Sequence, residues 1–168
     1  ETHTISSGLG GYTRTHGLEP DMFVVGKPVA GGLPASVWGM SEEVTKRFQE
    51  YDANRPAGFS GIGTTLSANP LQFAAMKANL THVMTAENYA HMEKGAERLA
   101  SGLANVIQRH GAPWHVVRVG ARVEFICAPG PLKNGTEAAE AHQHAVEAVL
   151  HTALLNRGVG PPGHDRHR

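Results

Sequence analysis

The chain has 168 residues, of which 15 are basic and 15 acidic, so its formal net charge is zero. This length allows one domain with a substantial core, and the balance of charge is not that of a protein that binds nucleic acid or an anionic membrane. No apolar run approaches the ~20 residues of a membrane span, and no signal-peptide pattern is present.

The single cysteine and the scattered histidines indicate a reduced thiol and no metal site. Cys127 is the only cysteine, so an internal disulfide is impossible and a cytoplasmic location is expected. The eleven histidines are scattered. His142 and His144 are two residues apart and should diverge on a helix, so no metal site is predicted.

The first forty residues are predicted to place a lysine at the end of a strand. Residues 1–4 are expected to end one parallel strand, and residues 5–20 to form a glycine-rich loop with a short helix at residues 12–16. Residues 23–25 form an apolar run typical of a strand buried on both faces. Lys27 follows that run, and a lysine there either extends its amine to solvent or has a chemical role.

The next elements are a strand and two helices. Residues 35–40 are predicted as the strand, and the helix at residues 41–51 begins with Ser41 as its cap. Residues 52–61 should form a loop. Asn69 and Pro70 are a favourable start for a helix that continues over residues 71–84.

The second half is predicted as a long helix, two strands and a further helix. Apolar residues line one face of residues 87–110, and Gly111 should end that helix. Residues 114–119 and 122–128 resemble two antiparallel strands, and residues 136–156 a single helix. Arg118 and Arg122 could bind a carboxylate, but strand arginines are usually solvated.

Three blocks of the sequence resemble motifs of the class III, pyridoxal-phosphate-dependent aminotransferases, and most of all the branch with glutamate-1-semialdehyde aminomutase. The first is similar to the end of Asp-Glu-Val-x-Thr and reads Glu1-Thr2-His3-Thr4. The second is similar to Gly-Lys-x-x-Gly-Gly-Gly-x-Pro and reads Gly26-Lys27-Pro28-Val29-Ala30-Gly31-Gly32-Leu33-Pro34. The third is similar to Gly-Thr-Thr-x-x-Gly-Asn-Pro and reads Gly63-Thr64-Thr65-Leu66-Ser67-Ala68-Asn69-Pro70.

The resemblance implies an α/β fold, a partial fold type I transferase of the aspartate-aminotransferase type. Residues 1–84 would be the C-terminal part of the cofactor-binding large domain. Residues 85–157 would be an incomplete α+β small domain, and residues 158–168 a disordered tail. The N-terminal half of the large domain would be missing.

The resemblance also implies that pyridoxal 5'-phosphate is the cofactor and Lys27 the catalytic residue, forming a Schiff base with its aldehyde. Thr2 would pack on the ring and His3 would hydrogen-bond its phenolic oxygen, although a polar strand end is an equally good interpretation of both. Gly31 and Gly32 would let the backbone pass close to the ring, and an ordinary tight turn explains them as well.

Thr64 and Thr65 precede a helix start, where hydroxyl and amide groups can hold phosphate. In the family the threonine at position 65 binds the cofactor of the neighbouring subunit, which implies a homodimer with shared active sites. Taken without the other blocks, both threonines simply finish a loop.

Three functions remain open on the sequence. The favoured one is an aminotransferase that moves an amino group between a small-molecule amino donor and a keto or aldehyde acceptor. The alternative is glutamate-1-semialdehyde 2,1-aminomutase, and the second alternative is a catalytically inactive fragment. The family's ring-nitrogen aspartate would precede Glu1, so the isolated segment is expected to be inactive.

Overall fold

A computed structural model describes residues 1–58 and 61–160. These residues contain four strands: β1 (Met22–Val25), β2 (Val37–Met40), β3 (His115–Val119) and β4 (Arg122–Ile126). Within the same ranges there are six α-helices: α1 (Gly11–Thr15), α2 (Glu42–Ala53), α3 (Pro70–His82), α4 (Ala86–His110), α5 (Gly135–Glu140) and α6 (His144–Leu155). Short 3₁₀ helices span Thr4–Ser6 and Lys27–Ala30.

The chain divides into two compact units. One contains Glu1–Glu97 with Val119–Arg122, and the other contains Arg98–Arg118 with Val123–Arg168. The long helix α4 is therefore shared by both units. The division of the sequence into domains at residues 84 and 85 stays a prediction.

The core of the first unit lies between β1, the 3₁₀ helix after it and α3. The cluster there consists of four buried residues, each at most 8% exposed: Val25, Val29, Ala30 and Met76. β1 pairs with β2 in antiparallel register, with Val25 opposite Val37. This cluster fixes the point where β1 ends and the following turn begins.

The predicted burial of β1 on both faces is wrong. Val25 is buried, but Met22 is 56% and Val24 49% exposed. In the part of the chain that the structure describes, β1 belongs to a two-stranded sheet, and such a sheet has one face packed on the core while the other remains open.

The caps predicted for α2 and α3 are present. The hydroxyl of Ser41 accepts the N–H of Val44 at the start of α2. The side-chain oxygen of Asn69 accepts the N–H groups of Leu71 and Gln72 at the start of α3. Each oxygen satisfies backbone donors that have no partner within the helix.

The second unit contains most of β3 and β4 and the last two helices. α4 ends before Gly111, whose φ of +60° is the left-handed conformation of a helix C-cap. β3 and β4 form a two-stranded sheet, and because only two residues connect them they must be antiparallel.

Two predicted elements differ from the structure. Residues 1–4 are not a strand, because a turn at Thr2 and His3 leads into the 3₁₀ helix Thr4–Ser6. The helix predicted over residues 136–156 is interrupted at residues 141–143, where Ala141 is buried. Helical periodicity alone does not locate such a break.

Two predicted segments fall partly outside the described residues. The loop at 52–61 includes residues 59 and 60, and the tail at 158–168 includes residues 161–168, so the predictions for those positions lie outside the structure.

No helix in the described ranges is long and apolar enough to cross a membrane. Cys127 is buried with its thiol reduced, and burial, followed by the charge of Glu147, raises its pKa.

Candidate active site

Lys27 occupies a strained backbone position. It follows the buried Gly26 and begins the 3₁₀ helix Lys27–Ala30 with φ of +40°. A side chain in this left-handed region costs roughly 1–2 kcal/mol. Lys27 is an exposed residue. The sequence therefore places a lysine where glycine would be less strained, and strain of this kind is concentrated at functional sites.

The turn that carries Lys27 is anchored by α3. The side-chain amide of Asn79 donates to the carbonyl oxygens of Pro28 at 2.6 Å and Val29 at 3.0 Å. The amide of Gln72 donates to the carbonyl oxygen of Pro34 at 2.8 Å. The two ends of the glycine-rich segment are thus both held by one helix.

Sequence reasoning missed these two anchors. Gln72, Ala75, Met76 and Asn79 follow the i, i+3, i+4, i+7 spacing of one helix face. Met76 and Asn79 are each 8% exposed. Polar residues within an otherwise apolar helix face are the signal that could have identified them, because a buried amide needs a hydrogen-bond partner.

The start of the chain lies beside β1. The amino group of Glu1 donates to the carbonyl oxygen of Val24 at 2.9 Å. A Cβ placed on Gly26 would lie 3.7 Å from the hydroxyl oxygen of Thr2. The structure therefore brings Thr2 next to the residue that precedes Lys27.

The carboxylate of Glu1 is tied to the loop after the first 3₁₀ helix. It accepts the backbone N–H of Tyr12 at 3.0 Å and hydrogen bonds from the hydroxyls of Thr4 and Thr13. Burial acts to raise the pKa of this carboxyl, but the hydrogen bonds outweigh it and lower the pKa from 4.5 to about 2. Gly11 leaves room for the carboxylate, since a Cβ there would lie 2.0 Å from it.

The other predicted residues of the first two blocks are exposed. His3 is exposed and its carbonyl oxygen accepts the hydroxyl of Ser6 at 2.7 Å. Gly31 and Gly32 have φ of +62° and +110°, so both positions favour glycine. A Cβ on Gly31 would meet Asn79 at 3.5 Å, whereas one on Gly32 would face open space.

Thr64 and Thr65 lie at the start of a tight turn before α3. The hydroxyl of Ser67 accepts the N–H of Thr64 at 2.8 Å, and both threonines are exposed. Ala68, which stands where the similar motif has glycine, has φ of +61°. Among the described residues, the non-glycine positions with positive φ are Lys27 and Ala68, one in each of the two glycine motifs.

The amine, hydroxyl and amide groups of the predicted site residues suit a phosphorylated aldehyde. A primary amine can condense with an aldehyde, and exposed hydroxyls and amides before a helix can hold phosphate. Two surface cavities, one along α6 and one beside β3, contain none of the predicted site residues. The candidate site is therefore the exposed face around Lys27.

Comparison with protein families gives a match to the model "Aminotransferase class-III" over residues 7–160. Among curated proteins, the chain is 33% identical over 154 residues to glutamate-1-semialdehyde 2,1-aminomutase of Thermus thermophilus, covering 90% of this chain and 34% of that protein. The chain thus spans about a third of the length of the curated relatives it matches.

Comparison with solved structures also finds aminomutases and aminotransferases. A glutamate-1-semialdehyde-aminomutase from Pseudomonas aeruginosa matches with a TM-score of 0.89 and 44% identity, over 96% of this chain and 37% of that one. A lysine-to-alanine variant of that enzyme was solved in complex with PMP. A β-phenylalanine aminotransferase from Variovorax paradoxus shares the fold at 21% identity, with a TM-score of 0.80 over 95% of this chain and 36% of its own.

Proposed function

The chain belongs to the class-III aminotransferase family, whose cofactor is pyridoxal phosphate, and we propose that it forms part of an enzyme that shifts an amino group within one substrate. The fold is accordingly a partial fold type I α/β transferase. The proposed reaction is that of a glutamate-1-semialdehyde 2,1-aminomutase, the name carried by its curated relatives.

The similarity values favour the aminomutase over the aminotransferase that the sequence alone suggested. Identity is 44% to the solved aminomutase and 21% to the solved β-phenylalanine aminotransferase. At the lower value only the fold is shared, so substrate choice is better inferred from the higher one. Transfer between separate donor and acceptor molecules remains the second candidate, because the same motif residues serve both reactions.

The observation that carries the proposal is the strained backbone of Lys27. Pyridoxal phosphate, when bound, supplies the electron sink for a carbanion at the substrate carbon. The Lys27 amine would bind the cofactor aldehyde and afterwards move a proton at the substrate carbon. Asn79 holds the backbone of the turn that follows Lys27. A fixed backbone beside the reactive amine would lower the entropic cost of the reaction.

The remaining motif residues would orient the cofactor. Thr2 lies next to Gly26 and would contact the ring, with His3 as a donor to the phenolic oxygen. Gly31 and Gly32 would allow close approach of the backbone.

We further propose that Thr65, with Thr64 beside it, serves the phosphate of a neighbouring subunit in a homodimer. Exposed apolar side chains flank the two threonines in the sequence: Ile62 is 51%, Leu66 69% and Leu71 66% exposed. Large exposed apolar side chains of this kind would suit a surface that another chain covers. A dimer would bury these side chains and bring the threonines to the partner's site.

The test of the cofactor site is chemical labelling. The chain, or the full-length protein that contains it, is incubated with pyridoxal phosphate and reduced with borohydride, and the modified peptide is identified by mass. We expect a stoichiometric adduct on Lys27 that is lost in Lys27→Ala. Lys46→Ala is the matched control, because Lys46 is an exposed lysine in α2 paired with Glu42 and should leave the adduct intact.

Two results would overturn the assignment. Stoichiometric labelling that persists in Lys27→Ala would place the cofactor elsewhere. No labelling of the full-length protein would support the inactive alternative. Assay of that protein with glutamate-1-semialdehyde alone, and then with separate amino donors and keto acceptors, distinguishes the aminomutase from the aminotransferase.

A further inference from the structure

Three metal-binding side chains converge at the start of α6. The Nδ1 atom of His142 lies 3.3 Å from Oε1 of Glu147, and Nδ1 of His144 lies 3.7 Å from Oε2 of the same carboxylate. One ligand atom from each residue lies within 4.8 Å of the other two. All three residues belong to the second compact unit, whereas the motif residues belong to the first.

The break between α5 and α6 creates this convergence. His142 lies in the three-residue interruption and His144 is the first residue of α6, so the two side chains do not follow one helical surface. Their rings stack with centroids 5.6 Å apart and planes inclined by 7°. The prediction that these histidines diverge on a helix is therefore wrong, and it no longer argues against a metal site.

The carboxylate is held in place from the protein side. The backbone N–H of Gln143 donates to Oε1 of Glu147 at 3.0 Å. The Glu147 side chain is 32% exposed, against 56% for His142 and 88% for His144. The carboxylate is therefore fixed, and the two imidazoles beside it are accessible from solvent.

We propose that His142, His144 and Glu147 form a binding site for a divalent transition metal of the Zn²⁺ class. Two imidazoles and one carboxylate are donors that this class of ion prefers. Zinc ligands lie about 2.0–2.2 Å from the ion, so donors around a tetrahedral ion are about 3.4 Å apart. One donor atom from each residue already lies within 4.8 Å of the other two, and rotation of the exposed imidazoles can shorten these separations to that value. The remaining coordination position is open to water.

Metal binding to the 168-residue chain tests this site. Zn²⁺ is titrated into the chain in competition with a chromogenic chelator, and Co²⁺ is then used to record the visible absorption of the bound ion. The triple variant His142→Ala, His144→Ala, Glu147→Gln should bind one fewer Zn²⁺ than the unaltered chain. Each single histidine variant should raise Kd at least about tenfold.

The controls separate this site from other histidines and from unfolding. His110→Ala, at the end of α4, should leave Kd and stoichiometry unchanged. Glu147→Gln keeps an oxygen that can accept the N–H of Gln143 and should preserve the start of α6. Weaker Zn²⁺ binding by Glu147→Gln with an unchanged circular dichroism spectrum therefore supports direct ligation.

Equal Zn²⁺ stoichiometry and affinity in the unaltered chain and the triple variant would overturn the proposal. The three residues would then form only a hydrogen-bonded helix start. A loss of binding in His110→Ala as large as that in His142→Ala would also contradict the assigned ligands.

Discussion

Asn79 in α3 and Val29 in the turn after Lys27 are joined by a 3.0 Å hydrogen bond, although 50 residues separate them in sequence. The same amide reaches the carbonyl oxygen of Pro28. Both bonds lie against the apolar cluster of β1 and α3. The backbone next to the proposed catalytic amine is therefore fixed by a side chain from a different helix.

Asn79→Ala should destabilise the first unit by about 2–3 kcal/mol, because one buried and one partly buried carbonyl group lose their donor. The effect is measured by denaturant unfolding and by hydrogen exchange over residues 27–34. Asn54→Ala is the control: its amide donates to the carbonyl oxygen of Glu50 at an exposed position and should cost under about 1 kcal/mol. Equal losses in the two variants would mean that the Asn79 bonds do not anchor the turn.

Ala68→Gly should stabilise the chain by roughly 0.5–1 kcal/mol. Glycine removes the cost of φ at +61°, and the gain exceeds its greater freedom in the unfolded chain. Ala30→Gly introduces glycine in the second motif, where Ala30 stands in place of the first of three glycines and is only 4% exposed. It should destabilise by about 1–2 kcal/mol. Shifts of the same sign in thermal unfolding would contradict the strain assigned to Ala68.

Glu1→Gln should make the stability less dependent on acid pH. The folded pKa of Glu1 is lowered from 4.5 to about 2, so its contribution is present above pH 4.5 and is lost as the pH falls toward 2. Unfolding curves of the two proteins should therefore differ at pH 6 and converge near pH 2. A difference that stays constant over this range would show that the Glu1 charge does not stabilise the fold.

Thr65→Ala should weaken cofactor binding by the full-length protein about 10- to 100-fold, the value of one hydrogen bond to a charged phosphate. The bound cofactor is first removed, and the Kd is then measured from the change in cofactor absorbance as pyridoxal phosphate is added back. Thr65→Ser keeps the hydroxyl and should restore most of the affinity. An unchanged Kd in Thr65→Ala would remove this residue from the proposed phosphate site.

Ser67→Ala is the matched control for the turn itself. The Ser67 hydroxyl holds the N–H of Thr64, so its loss should reduce local stability while affecting cofactor affinity less than Thr65→Ala does. If Ser67→Ala weakens binding more than Thr65→Ala, the effect arises from turn geometry.

Local signals predicted much of the fold. The caps at Ser41 and Asn69 and the terminating Gly111 are short-range features, and the helices they limit are found where expected. The apolar runs at β1 and β2 also became strands. These predictions succeeded because neighbouring residues suffice to satisfy the backbone groups involved.

Long-range relationships were not predictable in the same way. The pairing of Asn79 with the turn at Val29 depends on tertiary packing that no local pattern encodes. The interruption at residues 141–143 likewise has no local signal in the sequence, although Ala141 within it is buried. Motif resemblance indicated Lys27 as the reactive residue, but only backbone geometry showed that this position carries strain.

The distance in sequence between the turn and its anchor also constrains how the protein is made. When Val29 leaves the ribosome, the residue that holds it has yet to be synthesised, since Asn79 comes 50 residues later. The segment around Lys27 must therefore wait, without its two amide hydrogen bonds, until α3 has emerged. A nascent chain halted before residue 79 would present that lysine on an unanchored loop.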